Sequence, residues 1–119
     1  MGFKIHPNGG GLVEDTAHVA ETAYVNKYAV VYDSASVCDF SRIEDRAIIY
    51  NHARVTGYAT VSGDARVCDY AHISGRARIY GRACVYDHAI VSGTAQVFGD
   101  AEVDGFELYE GKFDGEDWS

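Results

Sequence analysis

Five histidines and three cysteines are the side chains of this 119-residue chain best suited to hold a metal or act as nucleophiles. A zinc-type centre needs three such groups converging on one ion at about 2 Å. A reactive thiol needs a base or another positive group beside it. Gly9-Gly10-Gly11 has the look of a phosphate-cradling loop, but no Lys-Ser/Thr follows it and no helical pattern begins there. Asp15, Asp33, Asp69 and Asp87 are spaced by multiples of 18 and would suit a calcium ladder if stacked. Whether any of these groups meet depends on the elements that carry them.

Those elements follow from a repeat of six. From Val13 to Val103 every sixth residue is Val or Ile, sixteen positions without exception. Two residues before each, from Ala17 to Ala101, fourteen of fifteen positions hold Ala and the other holds Ser41. Ala and Val at i and i+2 share one face of a strand. The next two residues, commonly Gly, Asp or Asn and then a polar or aromatic residue, form turns. The unit is a short strand and a corner. An amphipathic helix, with its period near 3.6, does not fit.

A period of 18 overlies the period of six. From Asn51 to Gly99 the corner residue runs as one Asn or Asp and then two Gly, three times over. Tyr32, Tyr50, Cys68 and Tyr86 share the same spacing. Three hexads per coil predict three flat sides, each residue stacked on the one 18 earlier, with coils roughly 4.8 Å apart. The repeat is long enough for a little over five coils, a prism about 25 Å tall. Residues 1–12 and 104–119 are read as caps on a repeat body at 13–103.

This phase-perfect pattern, A-x-[VI]-x-[GDN]-x, resembles the hexapeptide-repeat family, and the resemblance covers residues 11 to about 105. It implies an all-β fold, a three-sided left-handed parallel β-helix. Many of the family's enzymes are acyltransferases and one branch is a metal-dependent carbonic anhydrase. Other members are non-catalytic scaffolds or small phage- and prophage-associated proteins, and the Ala-rich unit is most similar to that last group.

The expectation is that the chain is not an enzyme. The acyltransferases use loops that break out of the coil, whereas no insertion shifts the Val phase here. His52 and His88 share a corner column but have Tyr70 between them, which sets them about 10 Å apart, too far for one metal. His6 precedes the repeat, and His18 and His72 lie outward three coils apart. All five are read as solvated. Cys38 lies on another side from Cys68 and Cys84, which are diagonal neighbours, and all three are read as inert thiols. The Asp column is read as turn-forming. No catalytic residue, metal or cofactor is assigned.

The outward faces carry the remaining candidates. One side shows Val30 with Tyr32, Ile48 with Tyr50, Arg66 with Cys68, and Cys84 with Tyr86. A patch this apolar rarely faces water in a monomer. Val30, Tyr32, Ile48, Tyr50 and Tyr86 are the expected protein interface, for self-association or another protein partner. The alternative is that the C-terminal segment, with Phe106, Leu108, Tyr109, Phe113 and Trp118, folds back over it. Arg42, Arg76, Arg78 and Arg82, interleaved with Tyr58 and Tyr80, form a secondary basic candidate. Acids punctuate that face, so a solvated surface is preferred to nucleic-acid binding.

Composition agrees. Apolar residues make up 47% and charged residues 24%, which suits one globular domain and excludes collagen, coiled coil and disordered chains. No apolar run approaches the roughly 20 residues of a membrane helix, no leader sequence is recognised, and three cysteines suit a reducing cytoplasm. Neither a membrane nor a small-molecule substrate is expected. The net charge of −8 belongs mainly to residues 100–119, where eight acids face Lys112 alone. A uniformly acidic body mimicking a nucleic acid is poorly supported. The functional expectation is a non-enzymatic binding or scaffold protein. Its alternatives are a phage-encoded inhibitor of a bacterial host or defence complex, and a degenerate acyltransferase.

Overall fold

A computed structural model describes residues 2–115. Every Val or Ile from position 25 through 103 in the six-residue phase is fully buried, and so is the Ala two places before it. The strands these pairs form are two or three residues long and stack into three sheets, numbered here along the chain. The first sheet contains β1 (Phe3–Ile5), β2 (Leu12–Glu14), β5 (Val30–Val31), β8 (Ile48–Ile49), β11 (Arg66–Val67), β14 (Cys84–Tyr86) and β17 (Glu102–Asp104). The second contains β3 (His18–Val19), β6 (Ser36–Val37), β9 (Arg54–Val55), β12 (His72–Ile73), β15 (Ile90–Val91) and β18 (Glu107–Leu108). The third contains β4 (Tyr24–Val25), β7 (Arg42–Ile43), β10 (Thr60–Val61), β13 (Arg78–Ile79), β16 (Gln96–Val97) and β19 (Lys112–Phe113).

Pairing within the repeat is parallel and in 18-residue register, as in Val30 with Ile48 and Arg66 with Cys84. The protein is an all-β solenoid of three sides. Ser41, the one break in the Ala column, is fully buried, and its hydroxyl donates to the Cys38 carbonyl at 2.7 Å. A small side chain with its own local acceptor fits the slot that Ala fills elsewhere.

The chain turns each corner through a left-handed residue. The corner position has positive φ in every hexad from Asp33 (59°) to Gly105 (76°). Gly adopts this region freely, and Asp and Asn are the residues that tolerate it next best. The Asp and Asn side chains also bond to the next coil: Asp39 Oδ2 accepts from the Gly57 N–H at 3.0 Å and Asp45 Oδ2 from Gly63 at 2.9 Å.

The solenoid has about six coils, against the five or so read from the repeat, because the chain keeps coiling past Val103. The register tightens there: Ile90 pairs with Glu107 where the repeat would offer Leu108, and Gln96 with Lys112 where it would offer Asp114. Each of the last two sides is thus one residue shorter, and Leu108 takes the core position at 2% exposure. At the other end β1 runs antiparallel to β2. The molecule is 40 Å long, beyond the roughly 25 Å expected of the repeat, since residues on both sides of it stack as well.

The glycine run closes this first end. Gly11 donates to the Val25 carbonyl at 2.9 Å, and Val25 donates to the Asn8 carbonyl at 3.0 Å. A side chain on Gly9 would lie 2.2 Å from the Val25 oxygen, and one on Gly11 2.3 Å from the Val25 side chain. Both must be Gly for the segment to lie against the first coil.

Candidate functional site

Successive residues of a strand point to opposite faces, so the buried Val of each hexad fixes its neighbours as outward. On the first sheet this aligns Val30 with Ile48 directly across adjacent strands. Beside them the Tyr32 and Tyr50 rings stack at 5.0 Å between centroids, with 3° between their planes. Four of the five candidate interface residues therefore form one contiguous patch. Tyr86 lies two coils from Tyr50 with Cys68 between, and its hydroxyl donates to Glu102 at 3.2 Å.

The patch extends beyond the residues that sequence singled out. Leu12 pairs with Val30 and Ile5 pairs with Leu12, so Ile5, Leu12, Val30 and Ile48 form an aliphatic row across four strands. Ile5 is 69% exposed and Leu12 41%. Phe3, 52% exposed, pairs with Glu14, which separates it from Tyr32. Leu12 was discoverable, since it stands one full coil before Val30. Ile5 was not, because it sits on an antiparallel strand outside the repeat.

The aliphatic row and the Tyr32–Tyr50 pair carry no charge of their own, and Glu14 stands beside Tyr32 on β2. The Tyr50 hydroxyl hydrogen-bonds with the Cys68 thiol, and this together with burial pushes the phenol up to about 12. Burial and the Asp33 carboxylate raise Tyr32 as well. Burial likewise raises the Cys68 and Cys84 thiols, opposed at Cys68 by the Tyr50 hydrogen bond and at Cys84 by Arg66. Arg66 is the charge at the far margin, and among the described residues no carboxylate forms an ion pair with it.

The C-terminal segment does not lie over this face within the described residues. Phe106 packs edge-on against Phe113 at 5.9 Å, Leu108 enters the core, and β18 and β19 join the second and third sheets. Tyr109 is exposed, and Trp118 lies outside the described residues.

The four candidate arginines do not form one surface. Arg42 and Arg78 share a row of the third sheet with Thr60 between them. Arg42 is held to Glu44 at 2.6 Å and lies over the Tyr24 ring. Arg76 stacks on Tyr58 at one corner, while Arg82 pairs with Asp100 at 2.9 Å at another. Arg78 covers Tyr80.

The histidines separate as well. His52 and His88 stack on opposite faces of Tyr70, at 5.0 and 5.1 Å. His6 departs from the solvated reading: it is 5% exposed, and its Nε2 lies 2.8 Å from the Ala23 carbonyl oxygen. It helps close the first coil. Among the described residues no three His, Cys, Asp or Glu groups are placed to hold a metal ion. No helix among them is long and apolar enough to cross a membrane.

A family profile described as the YdcK Beta solenoid repeat matches residues 47–63 and 77–93, two stretches that each trace nearly one coil. No curated protein matches the chain at a significant level. The same holds for solved structures. The repeat match and the three stacked sheets together make this a repeat β-helix protein.

Proposed function

We propose that this β-helix is a non-enzymatic binding protein that associates through its first side, with itself. The observation that carries the reading is the aliphatic row Ile5, Leu12, Val30 and Ile48 flanked by the stacked Tyr32–Tyr50 pair, uncovered by any other described segment. Each large apolar side chain gains roughly 1.5–3 kcal/mol when fully removed from water. A rigid sheet loses little conformational freedom on docking, which favours association further.

Ile48→Lys combined with Tyr50→Glu places charge at the centre of the patch. It should reduce the sedimenting mass to that of the 13.0 kDa chain while the circular dichroism of the solenoid is retained. Thr56→Lys with Ser74→Glu, on the second side, is the matched control and should change nothing. A first-side double variant that kept its assembled mass would sink the reading.

The resemblance to small phage-associated hexapeptide proteins supports a second reading, an inhibitor docked on a basic surface of a host or defence complex. Glu102, Asp104, Glu107 and Glu110, all exposed around the last coil, favour it. In that case the chain by itself sediments as a monomer, and its complex weakens steeply with salt.

A further inference from the structure

We infer that two copies meet by their first sides in antiparallel orientation, about a twofold axis running between β5 and β8. This rests on the self-association reading and adds its geometry.

The axis is selected by charge. Of the outward residues on the six strands β1 to β14 of the first sheet, only Glu14 and Arg66 are charged. They stand on β2 and β11, each one strand beyond the central pair β5 and β8. An axis lying in the interface along the strand direction places β5 on the partner's β8, β2 on its β11 and β1 on its β14. Val30 then covers Ile48, Tyr32 covers Tyr50, and Arg66 lies over Leu12. Glu14 is two residues along the same strand from Leu12, about 6.6 Å. The Arg66 stem can therefore cover Leu12 while its guanidinium reaches the Glu14 carboxylate. Symmetry makes this pair twice.

Other arrangements lose it. A parallel twofold dimer sets β11 on β11 and β2 on β2, which brings like charges together in a desolvated contact. Moving the axis one strand further, between β8 and β11, draws Glu102 into the interface against Leu12. In the chosen register only β17, with Glu102 and Asp104, overhangs the partner and stays in water. Six strands about 4.8 Å apart on a face near 20 Å wide present about 600 Å² per copy. The total reaches the lower end of stable interfaces, about 1,200 Å².

Arg66→Glu and Glu14→Lys test the pairing. Each variant should have its self-association weakened at least about tenfold. An equal mixture of the two should recover the dimer, because both acids of the Arg66→Glu chain then meet both bases of the Glu14→Lys chain. Glu14 Oε1 also accepts the Asp33 N–H at 2.7 Å, so Glu14→Gln, which keeps an acceptor there, separates charge from coil integrity. It should weaken association with the circular dichroism unchanged. If Glu14→Lys fails to fold, register is read by disulfide trapping in a background with Cys38, Cys68 and Cys84 changed to Ser. Chains carrying Val30→Cys and Ile48→Cys should then cross-link when mixed and not when alone. A monomeric wild type overturns the self-association reading. A wild-type dimer that both charge reversals leave intact, or that the mixture does not restore, overturns the register alone.

Discussion

Asp69 and Asp87 occupy the same corner of consecutive coils, and the Asp69 Oδ2 accepts a hydrogen bond from the Asp87 backbone N–H at 3.0 Å. Asn51 does the same for Asp69, and Asp33 for Asn51, both at 3.2 Å. From Asp33 through Asn51 and Asp69 to Asp87 this corner column is a ladder of hydrogen bonds between coils. Side chains committed to N–H donors are a physical alternative to the calcium ladder that their spacing alone suggests.

Asp69 has φ of 58°, so replacing it tests two effects at once. Asp69→Ala loses the acceptor and places an ordinary side chain in the left-handed region, a combined cost of about 2 kcal/mol. Asp69→Gly keeps the backbone freedom and should lose about 1 kcal/mol. Asp69→Asn should lie within about 0.5 kcal/mol of the parent. Urea unfolding gives the order, and an Ala variant as stable as the Asn variant would remove the ladder from the account.

Val61 and Ala65 are both fully buried, in core positions of different size. Val61→Asp would bury an unpaired carboxylate and should abolish the folded state, while Val61→Ile should be tolerated. Ala65→Leu overfills a slot next to a corner and should cost about 1–3 kcal/mol or more. Thermal unfolding checks each. An unchanged midpoint for Ala65→Leu would contradict the inward assignment of the Ala column.

Leu108 holds the last core position of the second side. Leu108→Ala should cost about 2–5 kcal/mol, the usual range for a buried Leu. The loss should appear first as faster hydrogen exchange in β15 and β18, the strands it joins. Uniform exchange with no loss of stability would show that the sixth coil is not packed on the fifth.

His72 is half-buried on the second sheet, and burial and then the Arg54 guanidinium hold its pKa below the ordinary 6.5. The unfolded chain binds this proton more readily than the folded one. Its contribution is intact above about pH 6.5 and is lost as the pH falls through the depressed folded value. His72→Gln should therefore lose less Tm between pH 7 and pH 5 than the parent does. Parallel curves would assign the proton uptake to other groups.

The repeat made the interior legible because burial in a short strand demands Val and Ala at fixed spacing, and Ser41 could replace Ala only with a nearby acceptor. The sixth coil was hidden by a slip in phase. Leu108 falls one place, and Phe113 two places, short of where the repeat would stack a residue on Val91 and Val97, so the six-residue ruler misses them. Val30, Tyr32, Ile48 and Tyr50 were found together because their alignment needs only the 18-residue stack. Ile5 joins them through an antiparallel strand whose register no repeat encodes. The burial of His6 was hidden for the same reason, since the carbonyl it bonds belongs to Ala23, just before β4, and no repeat spacing links the two.

Every inner coil meets the coils above and below through the same contacts. Duplicating or deleting one 18-residue turn would therefore leave both closed ends seated as before, and the rod would change length by one strand spacing, about 4.8 Å. Length is a free variable of such a molecule, open to change by recombination between its own repeats. The first side is less forgiving. An extra turn anywhere between β2 and β11 would move Glu14 and Arg66 one strand further apart and carry the twofold to their new midpoint, whereas one inserted beyond β11 would leave their spacing unchanged. Where a turn is gained would thus decide whether a lengthened rod still pairs with one of the parent length.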